Sequence, residues 1–498
     1  LPSQMLEFRT GTSEKRQNIS ESEMENKLQQ YRNREILHIF NAFVHNQTTG
    51  GILLLLCAIV AVVMATVPGG EWFDRMWENS ASISVGNFSI DMTLREWIND
   101  ALMAVFFFVV GLEIKREMLV GQLSSIKRSI LPIMAAAGGM LVPAIIFTIF
   151  NHGNPDTAHG WGIPMATDIA FAVGVLSILG DKVPPGIKVF LTALAIVDDL
   201  GAIIVLAIFY PTHAIHFSCL LYVALILLVL YIFNRMHVKN KLMYIIPGLF
   251  MWYFTYQSGI HATISGVLLA MVIPARGTIN ELKFQNKIEY LLKKFKLTSN
   301  AQINILASPE QQHIIHSMNQ EILKVDPLMH TFESKLHPVV TFVIMPLFAL
   351  ANAGVALNFN NFGEGIPSLA LGIFFGLLLG KPIGIFLFSF ISIKCRMAAM
   401  PSGITWTQLA AAGVLGGIGF TMSIFVNGLA FNNPILTDIG KISILITSTT
   451  AAVCGLAAIR CTCKEKAAKL TAAQILPENK NKIKAAPGIE SHKEKPTK

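Results

Sequence analysis

Residues 191–210 read LTALAIVDDLGAIIVLAIFY. At about 20 mostly apolar residues, the run can cross a hydrocarbon core about 30 Å thick. Two carboxylates, Asp198 and Asp199, stand in its middle. A charge at the centre of a bilayer costs at least ~2.5 kcal/mol, so a spanning helix keeps such groups only where they are paired or used. Successive helix residues point about 100° apart, so the two cannot serve one role against one neighbour. That arrangement lets one meet a counter-charge while the other faces a cavity. Desolvation penalises the charged form of a carboxylate, and a second carboxylate alongside penalises it further. A pair so placed can take up and release protons near neutral pH.

The same kind of run recurs on both sides of this one. Spans are expected at 49–67, 97–114, 129–150, 161–180, 186–210, 214–234, 241–257, 259–274, 337–357, 366–391, 406–431 and 438–460. Composition agrees: 53% of the 498 residues are hydrophobic and 14% charged, against about a quarter charged in soluble chains, and mean hydropathy is +0.54. The fold class is an all-α polytopic membrane protein of twelve transmembrane helices. A membrane β-barrel would show alternating segments of about ten residues, which this sequence lacks. The net charge of +8, from 39 basic and 31 acidic residues, is assigned to the cytoplasmic loops of a protein seated in the lipid bilayer and not to nucleic acid. Basic residues fall in every second loop (Lys115, Arg116, Lys127 and Arg128; Lys182; Arg235, Lys239 and Lys241; 275–336; Lys394 and Arg396; the tail). That alternation places both termini in the cytoplasm.

Three regions follow: a polar segment 1–45 with a surface helix over 21–45, a transmembrane domain 46–460, and a basic, disordered tail 461–498. The first 45 residues hold no apolar stretch of signal type, so the first span is expected to act as its own insertion signal. SISVGNFSIDMT at 82–93 pivots on Gly86-Asn87 and reads as an external β-hairpin. Residues 275–336 read as a long, solvated cytoplasmic insert. Cys461 and Cys463 have no neighbouring His or Cys to complete a metal site, and no cofactor is expected.

Other charges sit inside spans. Lys381, in LGKPIGIFLF, is read as the one clearly intramembrane base. Its pairing with Asp198 or Asp199 serves either as a switch broken when an ion binds or as architecture alone. Asp100 and Glu113 bracket the second span. Thr167 and Asp168 lie between Pro164 and Gly174 in the fourth span, and the eleventh carries GVLGGIGFTMS with Gly413, Gly416, Gly417 and Gly419. Both read as helices that break; for the glycines, close helix packing is the other reading. Unwound backbone in a membrane is tolerated where it is buried or lines a cavity. The broken spans fall in the middle of triplets 3–5 and 10–12. Seven positions separate them, an odd number, so the triplets enter the membrane oppositely. Interrupted segments matched in two inverted-topology repeats point to a transporter's binding site. Carboxylate, hydroxyl and carbonyl oxygens suit hard cations, here sodium or lithium.

Seven segments, WINDALMAVFF followed by VVGLEIKRE, GWGIPMATDIAFAVGVL, LTALAIVDDLGAII, SGIHATISGV, MPLFALANAGV, GKPIGI and GGIGFTMSIF, occur in this order across nearly all of 46–460. In these the chain resembles the bacterial NhaA-type sodium/proton antiporter family. The resemblance implies that Asp198 and Asp199 carry Na+ (or Li+) and H+ in alternation, Asp199 facing the cavity. It implies that Lys381 pairs with Asp198, and that Thr167 and Asp168 lie at two crossed, discontinuous helices. There Asp168 would offset facing helix N-termini and Lys381 the C-terminal ends. It assigns Glu113, Arg116, Glu117, Glu333 and His337 to a pH-sensing cluster at a funnel mouth and His261 to the pH response. It places the chain in the bacterial inner membrane, as a homodimer joined through the hairpin. Packing or helix-end roles stand beside sensing for His261 and His337, and a surface pair with Lys115 or Arg116 for Glu117. The long 275–336 segment and Ser334, where the family pattern has His, depart from the family.

Two protons exchanged per sodium would make the cycle electrogenic. Rival readings are a cation channel, favoured by acidic rings, an antiporter of another monovalent cation, and an intramembrane protease. For the last, ILGD at 178–181 lacks the first glycine of a GxGD motif, and Asp181 falls in a loop.

Overall fold

The computed structural model describes residues 47–85, 88–180, 183–211, 214–275, 281–298, 308–355, 367–401 and 403–484. The surface helix expected over 21–45, the Gly86-Asn87 pivot and residues 485–498 of the tail lie outside them. Hydrocarbon offers no hydrogen bonds, so a spanning chain must satisfy its backbone internally, as a helix does. Helices accordingly account for nearly every ordered element.

The first helices are α1 (Gln47–Thr66) and α2 (Glu71–Glu78). The expected hairpin follows as β1 (Ser80–Val85) and β2 (Phe88–Thr93), antiparallel with Ser80 opposite Thr93. Next come α3 (Leu94–Leu119) and α4 (Ile126–Phe150), then a broken pair, α5 (Pro155–Met165) and α6 (Ile169–Ser177). After it run α7 (Pro185–Phe209), α8 (Phe217–Arg235), α9 (Leu242–Gln257) and α10 (Thr263–Val272). Two more helices, α11 (Glu281–Thr298) and α12 (Pro309–Val325), precede α13 (Leu328–Asn352) and α14 (Ser368–Lys394). A second broken pair, α15 (Trp406–Gly416) and α16 (Phe420–Ala430), leads to α17 (Pro434–Lys484).

Among the described residues eight helices are long and apolar enough to cross a membrane, or ten when each broken pair counts as one crossing. The chain is a helical, multi-pass membrane protein. Both broken pairs bend by 46°. Burial sorts the spans: 61% of the α3 span and 56% of α7 are buried, against 11% of α8. The helices carrying acidic groups are thus interior, and α8 shows its apolar side chains to lipid.

The interior is held by close backbone approach. α4 and α14 cross at Gly138 and Gly384, where a Cβ on either would run into the other's carbonyl oxygen. This brings the helices read from the sequence as the third and tenth spans into direct contact. Three wide, π-helical turns interrupt spans: Trp97–Leu102 in α3, Val340–Ile344 in α13 and Gly376–Gly380 in α14. The last ends immediately before Lys381.

Within the segment read as an insert, α11 packs against α12, and α13 begins at Leu328 where the sequence suggested 337. The extra turns hold because Leu328, Met329 and Phe332 join Phe108, Leu112 and Tyr244 in a second apolar cluster.

Candidate functional site

The first break follows from its sequence. Pro164 lies in the last, tight turn of α5, Ala166 is extended, and Asp168 caps α6, its carboxylate accepting from the Phe171 N–H at 2.9 Å. Asp is among the preferred N-cap residues because its side chain takes a free N–H of the first turn. The second break runs through Gly417 and Gly419, and the two strands of unwound chain meet: the Asp168 N–H donates to the Ile418 carbonyl at 2.8 Å.

Asp168 serves both breaks. Its second oxygen accepts from the Thr421 N–H at 3.2 Å and, in a short bond, from the Thr421 hydroxyl. One carboxylate therefore sits at the N-termini of α6 and α16. Each helix start carries about half a positive charge, so together they offset about one negative charge. The C-terminal ends are covered too. The Lys381 ammonium donates to the Met165 carbonyl, at the end of α5. The Gly416 carbonyl, at the end of α15, lies 3.0 Å from the Thr167 hydroxyl.

The adjacent aspartates diverge as the helix geometry requires. Asp198 Oδ2 lies 2.7 Å from Lys381 Nζ and 2.6 Å from Thr167 Oγ1, while its Oδ1 is buried without a partner. Thr167 has one hydroxyl proton, shared between Asp198 and the Gly416 carbonyl. Asp199 points elsewhere, into a cavity of about 240 Å³ that Asp168, Thr192 and Ile196 also line. Among the described residues no protein group hydrogen-bonds its carboxylate. The wide turn before Lys381 aims that ammonium across to α7. Asp168, Asp198 and Lys381 are each 1% exposed.

With every group ionised, three carboxylates face one ammonium. The helix N-termini offset Asp168 and Lys381 offsets Asp198. One negative charge is left, at Asp199, on the cavity wall. That balance leaves room at Asp199 for one positive charge.

The cavity continues to Glu113, Arg116, Glu333 and His337. Arg116 forms a short ion pair with Glu333 and lies 3.9 Å from Glu117, and His337 Nε2 lies 3.9 Å from Glu113 Oε1. Five residues singled out in the sequence thus form one cluster. Glu117 also caps the next turn, accepting from the Gln122 N–H at 2.8 Å. Lys115 turns away and donates to the carbonyls of Met271 and Ile273 at the end of α10. His261 is not part of this group. It is buried in the α9–α10 connection, beside the Tyr210 backbone, and does not line the cavity. Ser334 is exposed and bonds only the Thr331 carbonyl.

Two groups escaped the sequence reading. Thr421 closes the Asp168 cage; its signal was a hydroxyl in the first turn after the glycine break. Lys441 is a second buried base within a candidate span, beside Lys381. It is buried in α17, with its ammonium 3.5 Å from the Gly354 carbonyl and 4.0 Å from Asp438. It stands near the start of a span, where a charge draws no attention.

Fold and site define a multi-pass membrane protein in which two broken helices cross at a buried, incompletely neutralised acidic centre open to one cavity. Residues 41–459 match the family model described as Na+/H+ antiporter 1, and the chain belongs to that family. It is 45% identical to the Na(+)/H(+) antiporter NhaA of Wolinella succinogenes over 85% of this chain and 94% of that protein. Identity to the Na(+)/H(+) antiporter NhaA 2 of Flavobacterium johnsoniae is 44%, over 84% and 91% of the two chains. Identity to the Na(+)/H(+) antiporter NhaA of a Helicobacter pylori strain is 42%, over 83% and 93%.

Proposed function

We propose that this chain is a sodium/proton antiporter that exports Na+, or Li+, from the cytoplasm and admits protons. The observation that carries the reading is the division of labour at 198–199. One carboxylate is held by Lys381, and its neighbour lies on the cavity with no ion-pair partner among the described residues.

Exchange follows from competition for that negative charge. A cation entering the cavity displaces the proton of Asp199 and recruits Asp198 as a second oxygen ligand, with the Thr167 hydroxyl at hand. Lys381 then loses its partner and gives up a proton. One sodium replaces two protons, so each cycle moves one charge. Asp168 and the crossed helix ends form the fixed electrostatic floor of the site. The cluster of Glu113, Arg116, Glu117, Glu333 and His337 lines the cytoplasmic mouth and sets the pH at which the cavity admits sodium. His261, on the α9–α10 connection, adjusts the same response.

Twelve spans complete the architecture when α9 and α10 are added to the ten crossings. Triplets α4–α7 and α14–α17 are then inverted-topology repeats, an arrangement supported by their equal bends and by the Gly138–Gly384 contact. Both termini are cytoplasmic, the membrane is the bacterial inner membrane, and the β1–β2 hairpin joins two copies.

The test is proton movement in inside-out vesicles, followed with a pH-sensitive dye after adding sodium, lithium or potassium. Sodium and lithium should each release protons in the parent and leave Asp199→Asn silent. A response to potassium alone would change the substrate, and an active Asp199→Asn would sink the mechanism.

A further inference from the structure

Helix α11, in the segment that sets this chain's loop apart, carries a surface that transport does not use. Its sequence is ELKFQNKIEYLLKKFKLT. Phe284, Ile288, Leu291 and Phe295 are its less exposed side chains, at the spacing of one helix face, and the helix packs against α12. A second stripe, about a quarter-turn away, recurs at the same spacing: Lys283, Lys287, Tyr290, Lys294 and Leu297. Neighbours three and four apart share a helix face. All five side chains are exposed, Tyr290 at 59% and Leu297 at 88%.

The stripe holds three lysines and no acid. Among the described residues, no carboxylate pairs with Lys283, Lys287 or Lys294. Lys293, just outside the stripe, is paired with Glu289 at 3.0 Å. Lys287 lies over the Tyr290 ring at 5.8 Å, so the cationic and aromatic groups already form one surface. The helix is tethered close to the membrane. Eight residues link Val272 to Glu281, a reach of roughly 30 Å at full extension, and only two separate Val325, the end of α12, from Leu328 at the start of α13.

We infer that this Lys-Tyr-Lys-Leu stripe docks on the anionic phospholipid headgroups of the leaflet from which α10 and α13 emerge. Charge complementarity selects this occupant. Each lysine near an anionic bilayer strengthens binding on the order of fivefold, so three act together by about a hundredfold. Tyr290 and Leu297 supply the amphipathic groups that settle at the headgroup boundary. The inference adds a lipid partner to the transport reading and uses only its placement of the loop at the membrane surface.

The experiment is hydrogen exchange on the full-length protein in nanodiscs of phosphatidylcholine, alone or with about one third phosphatidylglycerol. Amides of Glu281–Thr298 should exchange at least tenfold more slowly in the anionic bilayer. High choline chloride should remove the difference by screening. The variant Lys283→Gln/Lys287→Gln/Lys294→Gln should lose it, while Lys293→Gln/Lys296→Gln keeps it. Unchanged exchange in the spanning helices verifies that both variants are folded. Equal exchange in the two bilayers would overturn the inference and leave an acidic protein as the occupant. Equal loss in the two variants would overturn it as well, since charge without the stripe would then suffice. Neither result touches sodium-dependent proton release.

Discussion

The environments of Asp198 and Asp199 differ because a helix turns about 100° between neighbours. One carboxylate was bound to meet a partner that the other could not reach. Breaking a buried ion pair on one side strands the remaining charge, at a cost of about 3–5 kcal/mol. Lys381→Met and Asp198→Asn should therefore each lower the thermal unfolding temperature in detergent, while the double variant recovers most of the loss. Equal stability of all three would mean that Lys381 and Asp198 are not paired in the resting protein. Asp168 is a different case, because its oxygens accept from Phe171 and Thr421 at two helix starts. Asp168→Ala should destabilise more than Asp168→Asn, which keeps one acceptor oxygen. The carboxylates and Lys381 were legible in the sequence because charge inside an apolar run is conspicuous. Thr421 and Lys441 were less so, since a hydroxyl near a helix start and a charge near a span's end are ordinary in any membrane helix.

Both breaks were visible in advance, through Pro164 before Thr167 and the glycines at 416, 417 and 419. The wide turns were not. A π-helical turn shifts the hydrogen-bond register without changing composition, so nothing in GLLLG at 376–380 announces that Lys381 is re-aimed. Hydropathy gave the span's start near 337, and α13 begins earlier, at Leu328, because its first turns are held by a satellite cluster. The contact of α4 with α14 depends on missing side chains at Gly138 and Gly384. Overpacking a filled interior costs about 1–3 kcal/mol. Gly384→Val should cost that much in thermal stability and slow exchange, whereas Gly428→Ala, with open space at its Cβ, should do neither. A silent Gly384→Val would show that the two helices can part without consequence.

Taken whole, the molecule joins an acidic centre to a charged mouth through one cavity, and in the proposed mechanism pH acts through that mouth. One negative charge fewer in the mouth cluster weakens its hold on protons. Glu333→Gln should therefore move the pH profile of exchange towards acid, while the maximal rate with sodium stays within about threefold. A profile unchanged in position would detach the cluster from regulation. Coupling to the membrane follows from the charge count. The proposed exchange of two entering protons for one leaving sodium would carry one net positive charge inward, and 100 mV is worth about 2.3 kcal/mol per charge, or about fiftyfold in a gradient. The decisive assay is the sodium gradient built by proteoliposomes with a potassium diffusion potential imposed on them. With the interior at about −100 mV, the limiting gradient should rise about fiftyfold over that at zero potential, and Asp199→Asn should build none. A gradient indifferent to the potential would contradict the two-for-one exchange at Asp198, Asp199 and Lys381.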